Sequence, residues 1–147
     1  MFKQFSALKW LALLGVIVLI ALGVAIYFRA PAGPTTVRVT ADEFNLKPNV
    51  NSVSAGKVTF QVVNQGKLEH EMVILKTDLA VASLKPRAAD PDKVDEEALA
   101  KNIGEIEDIG VGETKSDTFD LTPGRYVLIC NVAGHYKAGM STAFEVK

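Results

Sequence analysis

Beyond residue 35 the apolar residues fall at every second position in one short run after another, a period that confines the chain to strands burying one face. Val37 and Val39 alternate with Thr36, Arg38 and Thr40, and Val58, Phe60 and Val62 alternate with Lys57, Thr59 and Gln61 after the turn Ser54-Ala55-Gly56. Glu71–Leu75 reads as another short strand, and Thr114–Leu121 as a polar, edge-like one ending in the turn Thr122-Pro123-Gly124. Arg125–Cys130 is apolar on both faces, as a central strand should be, and Ala143–Lys147 closes the chain with Phe144 and Val146 on one side. Many short strands between Gly, Pro and Asn turns predict an all-β sandwich. Residues 78–109 break the rhythm: Asp90-Pro91 followed by DKVDEEALAKN predicts a short capped helix in a long connection. Nine acids lie between Asp90 and Glu113 against Lys93 and Lys101. Such a run is expected to be a solvated surface rather than an acidic docking face for a basic partner.

The start of the chain has another character. Trp10–Phe28 is 19 residues without a charge, long enough at about 1.5 Å per residue to span a bilayer's hydrocarbon core. Trp10 and Tyr27 sit near its ends, where amphipathic rings favour the interface. Lys3 and Lys9 precede it and Arg29 follows, so the basic bias keeps the N-terminus cytoplasmic and sends the remainder out. Ala30-Pro31-Ala32 resembles a signal-peptidase site, but the run exceeds a usual signal core and Tyr27, Phe28 and Arg29 crowd it, so an uncleaved anchor is expected. The expected organisation is a cytoplasmic N-terminus (1–9), a transmembrane signal-anchor helix (10–28), a proline-containing linker (29–35) and one exported, extracytoplasmic domain (36–147).

Formal net charge is −1; the three basic residues before position 33 leave the exported part with a net of −4. A mildly acidic domain lacks the clustered Lys and Arg that nucleic acid requires. Cys130 is the only cysteine, so no intramolecular disulfide can form, and a free thiol in an oxidising compartment must be buried, ligated or used.

The chain has two histidines, and one of them, His135, shares an eleven-residue window with Cys130 and Met140: CNVAGHYKAGM. The other, His70, opens the 70–75 strand, where His70, Met72 and Ile74 share one face and Glu71 points the other way. A site that cycles between Cu(I) and Cu(II) suits a thiolate and two imidazoles in a trigonal plane with a weak axial thioether. Gly134 and Gly139 immediately precede His135 and Met140 and let the backbone bend where each is presented. Singly, each residue is unremarkable: a strand-end histidine is usually structural, a buried cysteine usually a small hydrophobe, and a methionine usually core filler. Together, His70, Cys130, His135 and Met140 form a coherent ligand set for one copper ion.

The segment resembles the cupredoxins, the type 1 blue-copper proteins. The Cys-x4-His-x4-Met spacing is similar to the rusticyanin and sulfocyanin type. The resemblance extends over residues 35–147: a VTF strand after a Ser-Ala-Gly turn, Asn64 before a Gly turn, a histidine opening the next strand, and LTPGRYVLIC leading into the ligand loop. It implies a Greek-key β-sandwich and outer-sphere electron transfer, with His70, Cys130 and His135 as equatorial ligands and Met140 as the axial one. Family members often carry Asn or Ser after the first histidine, where this chain has Glu71. Glu69 and Glu71 also keep open a variant with a carboxylate ligand.

The expected function is therefore a monomeric, membrane-anchored carrier of single electrons between extracytoplasmic redox partners such as a cytochrome or respiratory complex. The alternative is copper sensing, delivery or storage on the same fold. Catalysis is not expected: a Cys130–His135 nucleophile pair has no third group indicated. Two histidines are too few for a multicopper oxidase, and one cysteine is too few for a binuclear copper centre.

Overall fold

A computed structural model describes residues 33–98 and 100–147. The apolar run Trp10–Phe28 lies outside the described residues, and within them no helix is long and apolar enough to cross a membrane.

Among the described residues eleven strands follow one another: β1 (Thr35–Asp42), β2 (Asn45–Pro48), β3 (Ser52–Val53), β4 (Gly56–Asn64), β5 (His70–Lys76), β6 (Pro86–Arg87), β7 (Asp90–Val94), β8 (Lys101–Ile109), β9 (Thr114–Leu121), β10 (Gly124–Ile129) and β11 (Ser141–Val146). One sheet has the order β2-β1-β4-β9 and the other β3-β11-β10-β5-β8. The pair β6-β7 stands apart. β1 runs parallel to β4, and β10 lies antiparallel to both β5 and β11. The inward residues of both sheets make the main core, including Val37, Val39, Val58, Phe60, Val62, Met72, Ile74, Leu128 and Phe144. These are the period-two positions, and their burial drives the sandwich.

β5 and β10 are apolar on both faces because both faces are covered. Met72, Ile74, Tyr126, Leu128 and Cys130 enter the sandwich core. Val73, Leu75, Val127 and Ile129 face outward into a second cluster with Leu84 and Val94, closed by Leu79, Val81, Ala100 and Tyr136. The segment between β5 and β8 thus forms a strap across the outer face of the five-stranded sheet.

That strap corrects two expectations. The helix expected after Asp90-Pro91 does not form among the described residues: Asp90–Val94 is strand β7, paired with β6. Among the described residues the one helical turn in the connection is the 3-10 turn Val81–Ser83. Local propensity loses to tertiary hydrogen bonds, because Asn131 Oδ1 accepts the Val94 N–H at 2.6 Å and the Asp95 N–H reaches the Lys85 carbonyl at 2.8 Å. The second correction is β8, nine residues long and paired with β5, inside what reads as a loop. Its register shifts opposite His70/Met72 and again opposite Ile74/Leu75. Each shift inserts a residue into β8, so its apolar side chains Ile103, Ile106 and Ile109 recur every third position, and the alternation that betrays a strand is lost.

Candidate metal centre

Strand order brings the predicted residues to one end of the five-stranded sheet. β10 runs antiparallel to its neighbours, so its C-terminal end lies beside the beginnings of β5 and β11. Cys130 follows the last residue of β10, His70 is the first of β5, and Met140 immediately precedes β11. His135 comes from the loop between β10 and β11. The loop is fastened by its own backbone: the Cys130 N–H donates to the Met140 carbonyl, the Met140 N–H to the His135 carbonyl, and the His135 N–H to the Val132 carbonyl, each at 3.0 Å. Gly134 (φ 83) and Gly139 (φ 100) take left-handed conformations that side chains resist, which places a bend before each of His135 and Met140.

Three donor atoms converge. Cys130 Sγ lies 3.3 Å from His135 Nδ1 and 3.9 Å from His70 Nδ1, and the two Nδ1 atoms are 3.3 Å apart. A first-row ion with bonds of about 2.0 Å to nitrogen and about 2.3 Å to sulfur in a trigonal plane separates its donors by about 3.5 and about 3.7 Å. The residues therefore fit a trigonal metal centre. His70 is 0% exposed and His135 7%, with Cys130 and Met140 fully buried. Cys130 and Met140 belong to the same core cluster. Burial raises the Cys130 thiol above its ordinary range, so without a metal it stays protonated. Burial first and the neighbouring His70 second hold His135 below the usual imidazole value, which favours the neutral, ligating form.

Neither flanking carboxylate joins the cluster, which consists of His70, Cys130 and His135 alone among the described residues. Glu69 is exposed, and Glu71 is half-buried on the opposite face of β5. There burial, partly countered by Lys93 and reinforced by Glu105, raises the Glu71 carboxyl. Glu71 still serves the site through its backbone, whose N–H points to Cys130 Sγ at 3.5 Å.

The supporting roles of three residues escape sequence reasoning. Asn64 is buried; its amide donates to the Leu68 and Ile109 carbonyls at 2.7 and 2.8 Å, while its Oδ1 accepts from Gly66 N–H. It thereby shapes the turn leading into His70. Asn131, next to Cys130, also donates to the Val94 carbonyl and to Glu96 Oε1. Glu43 Oε1 accepts the N–H groups of Lys67 and Leu68 at 2.6 and 2.9 Å and stands 3.3 Å from His70 Nε2. The Lys67 N–H, foremost among several hydrogen bonds, holds the Glu43 carboxyl below its usual value. The strap grips the ligand loop as well: the Gly134 N–H donates to the Asp92 carbonyl at 2.8 Å, Lys137 pairs with Asp92, and the Tyr136 hydroxyl donates to the Val81 carbonyl at 2.6 Å.

A two-sheet sandwich with a buried His–Cys–His cluster at one end defines the cupredoxin class, in which such a site holds a single copper ion. The family model for the sulfocyanin (SoxE) domain matches residues 43–146, and the chain belongs to that family. Among solved structures it is similar to auracyanin B, at 28% identity and a TM-score of 0.56, over 81% of this chain and 91% of that one. Auracyanin A of Chloroflexus aurantiacus, described as a "blue" copper protein, matches at 25% identity and a TM-score of 0.56, over 78% of this chain and 100% of that one. An auracyanin from Roseiflexus castenholzii shares the fold at 24% identity and a TM-score of 0.57, covering 77% of this chain and 97% of that one. No curated protein matches.

Proposed function

We propose that this protein carries single electrons at a mononuclear copper site, with His70, Cys130 and His135 as equatorial ligands and Met140 as the axial one. The observation that carries the reading is the convergence of one thiol and two Nδ1 atoms, 3.3 to 3.9 Å apart, in a buried pocket. A bound copper ion supplies the one-electron couple; the protein supplies everything that makes the transfer easy. The donors are held by paired strands and a hydrogen-bonded loop, so little needs to move between oxidation states. Burial excludes the water that would otherwise reorganise around a changing charge.

The way in and out is the His135 edge. Exposed Ala133, Ala138 and Gly139 flank it in the same loop, with Val132 and Gly134 partly covered. Phe44, 37% exposed, packs edge-on against the His135 ring with centroids 5.2 Å apart. These small or apolar groups let a redox partner, a cytochrome or respiratory complex, approach closely. In this reading the segment 10–28 tethers the domain to the extracytoplasmic face of the membrane, where it works as a monomer. Burial of all three donors speaks against copper delivery or sensing, since both require ready ligand exchange.

The test is to load the metal-free, reduced protein with Cu(II) and record its visible and EPR spectra. An intense thiolate-to-copper band with narrow hyperfine splitting is expected, absent from Cys130→Ser and bleached by reduction. A colourless protein with ordinary tetragonal Cu(II) signals refutes the electron-carrier reading.

A further inference from the structure

We infer that Glu43 is a positioning residue for His70: its carboxylate receives the Nε2–H of that ring, fixes the tautomer that turns Nδ1 toward the metal, and biases the site toward Cu(II). This deepens the copper reading above and rests on it.

His70 faces Cys130 Sγ and His135 Nδ1 through its own Nδ1, so a neutral, ligating imidazole carries its proton on Nε2. That atom is buried, and among the described residues it has no hydrogen-bond partner of good geometry. A buried N–H without an acceptor is costly. The carboxylate oxygen beside it is Glu43 Oε1, at 3.3 Å, on a side chain one-quarter exposed. That oxygen is already held by the Lys67 and Leu68 N–H groups, so it is fixed by the turn that delivers His70 to β5.

Gly66 gives an independent indication. A Cβ there would land on Glu43 Oε1 and come within 2.9 Å of His70 Nε2. The glycine leaves open the space in which carboxylate and ring meet, and only a residue without a side chain does so. A small rotation of the Glu43 carboxylate or the His70 ring completes the hydrogen bond.

A carboxylate accepting from the far nitrogen of a ligating histidine orients the ring and raises its basicity. The more basic ligand favours the more highly charged ion, so Glu43 should lower the reduction potential. Glu43→Gln separates this from a merely structural role, because glutamine keeps an oxygen for the Lys67 and Leu68 N–H groups and loses the charge. In the full chain, E43Q is expected to bind Cu(II) at least tenfold more weakly, with a smaller change for Cu(I). A tenfold difference between the two states raises the potential by about 59 mV. Gly66→Ala, which wedges a methyl group between carboxylate and ring, should shift the potential in the same direction with the charge intact. In the diamagnetic Cu(I) wild type, nitrogen-resolved NMR should show a slowly exchanging His70 Nε2–H. An E43Q protein with wild-type potential and affinity, or a His70 Nε2–H that exchanges freely in the wild type, overturns the role of Glu43 while the copper site stands. A wild type without the thiolate-to-copper band overturns the site itself.

Discussion

Replacing Asn131 with alanine tests whether the strap is anchored to the ligand loop as the structure indicates. The buried side chain accepts the Val94 N–H at 2.6 Å and donates to the Val94 carbonyl at 3.2 Å and to Glu96 Oε1 at 2.6 Å. Asn131 and Val94 are each 1% exposed, so truncation strands a buried N–H and a buried carbonyl rather than handing them to water. At about 1 to 1.5 kcal/mol for each of those two bonds, and less for the half-exposed Glu96 contact, the loss is about 3 kcal/mol. Unfolding entropy of about 2.1 cal/mol/K per residue over about 115 residues converts this to a fall in Tm of about 12 °C. Calorimetry of the metal-free protein is the assay, because bound metal would add its own stabilisation. Asn131→Asp should be no better at pH 7, since it keeps one acceptor but sets a carboxylate against Glu96. A Tm drop under about 4 °C for Asn131→Ala would refute the reasoning, showing that the strap holds without this side chain.

Ile129→Ala should cost about 2 to 5 kcal/mol in denaturant unfolding, because Ile129 is fully buried in the outer cluster beneath the strap. If the outer face of that sheet were solvated, the cost would be near zero. Copper(II) uptake should release the Cys130 proton, because burial keeps that thiol protonated to above its ordinary value of 9.0. Between about pH 7 and 9, apparent affinity should then rise by about tenfold per pH unit, the slope of one released proton, and titrations in buffers of different ionisation heat would show the proton. Ala133→Asp, on the exposed rim of His135, should slow electron transfer to a partner by about tenfold while leaving the copper band unchanged. Stopped-flow rates equal to those of the wild type would move the entry face elsewhere.

Much of the molecule is legible without coordinates, and the reason differs from part to part. Alternation reports burial wherever a strand keeps its register and has one wet face, so Val37, Val39, Val58, Phe60 and Val62 appear in the core where the period places them. The ligand loop is legible because scarce residue types fall within eleven positions, and its glycines do make the bends expected of them. β8 is hidden because its bulges turn a period of two into a period of three. β7 is hidden because its backbone partners are β6 and the side chain of Asn131, a residue remote in sequence, while its Asp90-Pro91 start imitates a helix cap.

The convergence of His70 with Cys130 and His135, and of Glu43 with His70, depends on β5 and β10 lying side by side and on the turn that Asn64 shapes. Local pattern marks the strands that keep their register with one wet face, shows which of their faces turn inward, and shows which side chains are chemically able to hold copper. Only the tertiary structure decides which distant atoms meet, because hydrogen bonds and close approaches between remote segments depend on register and packing, and neither leaves a periodic trace in the chain.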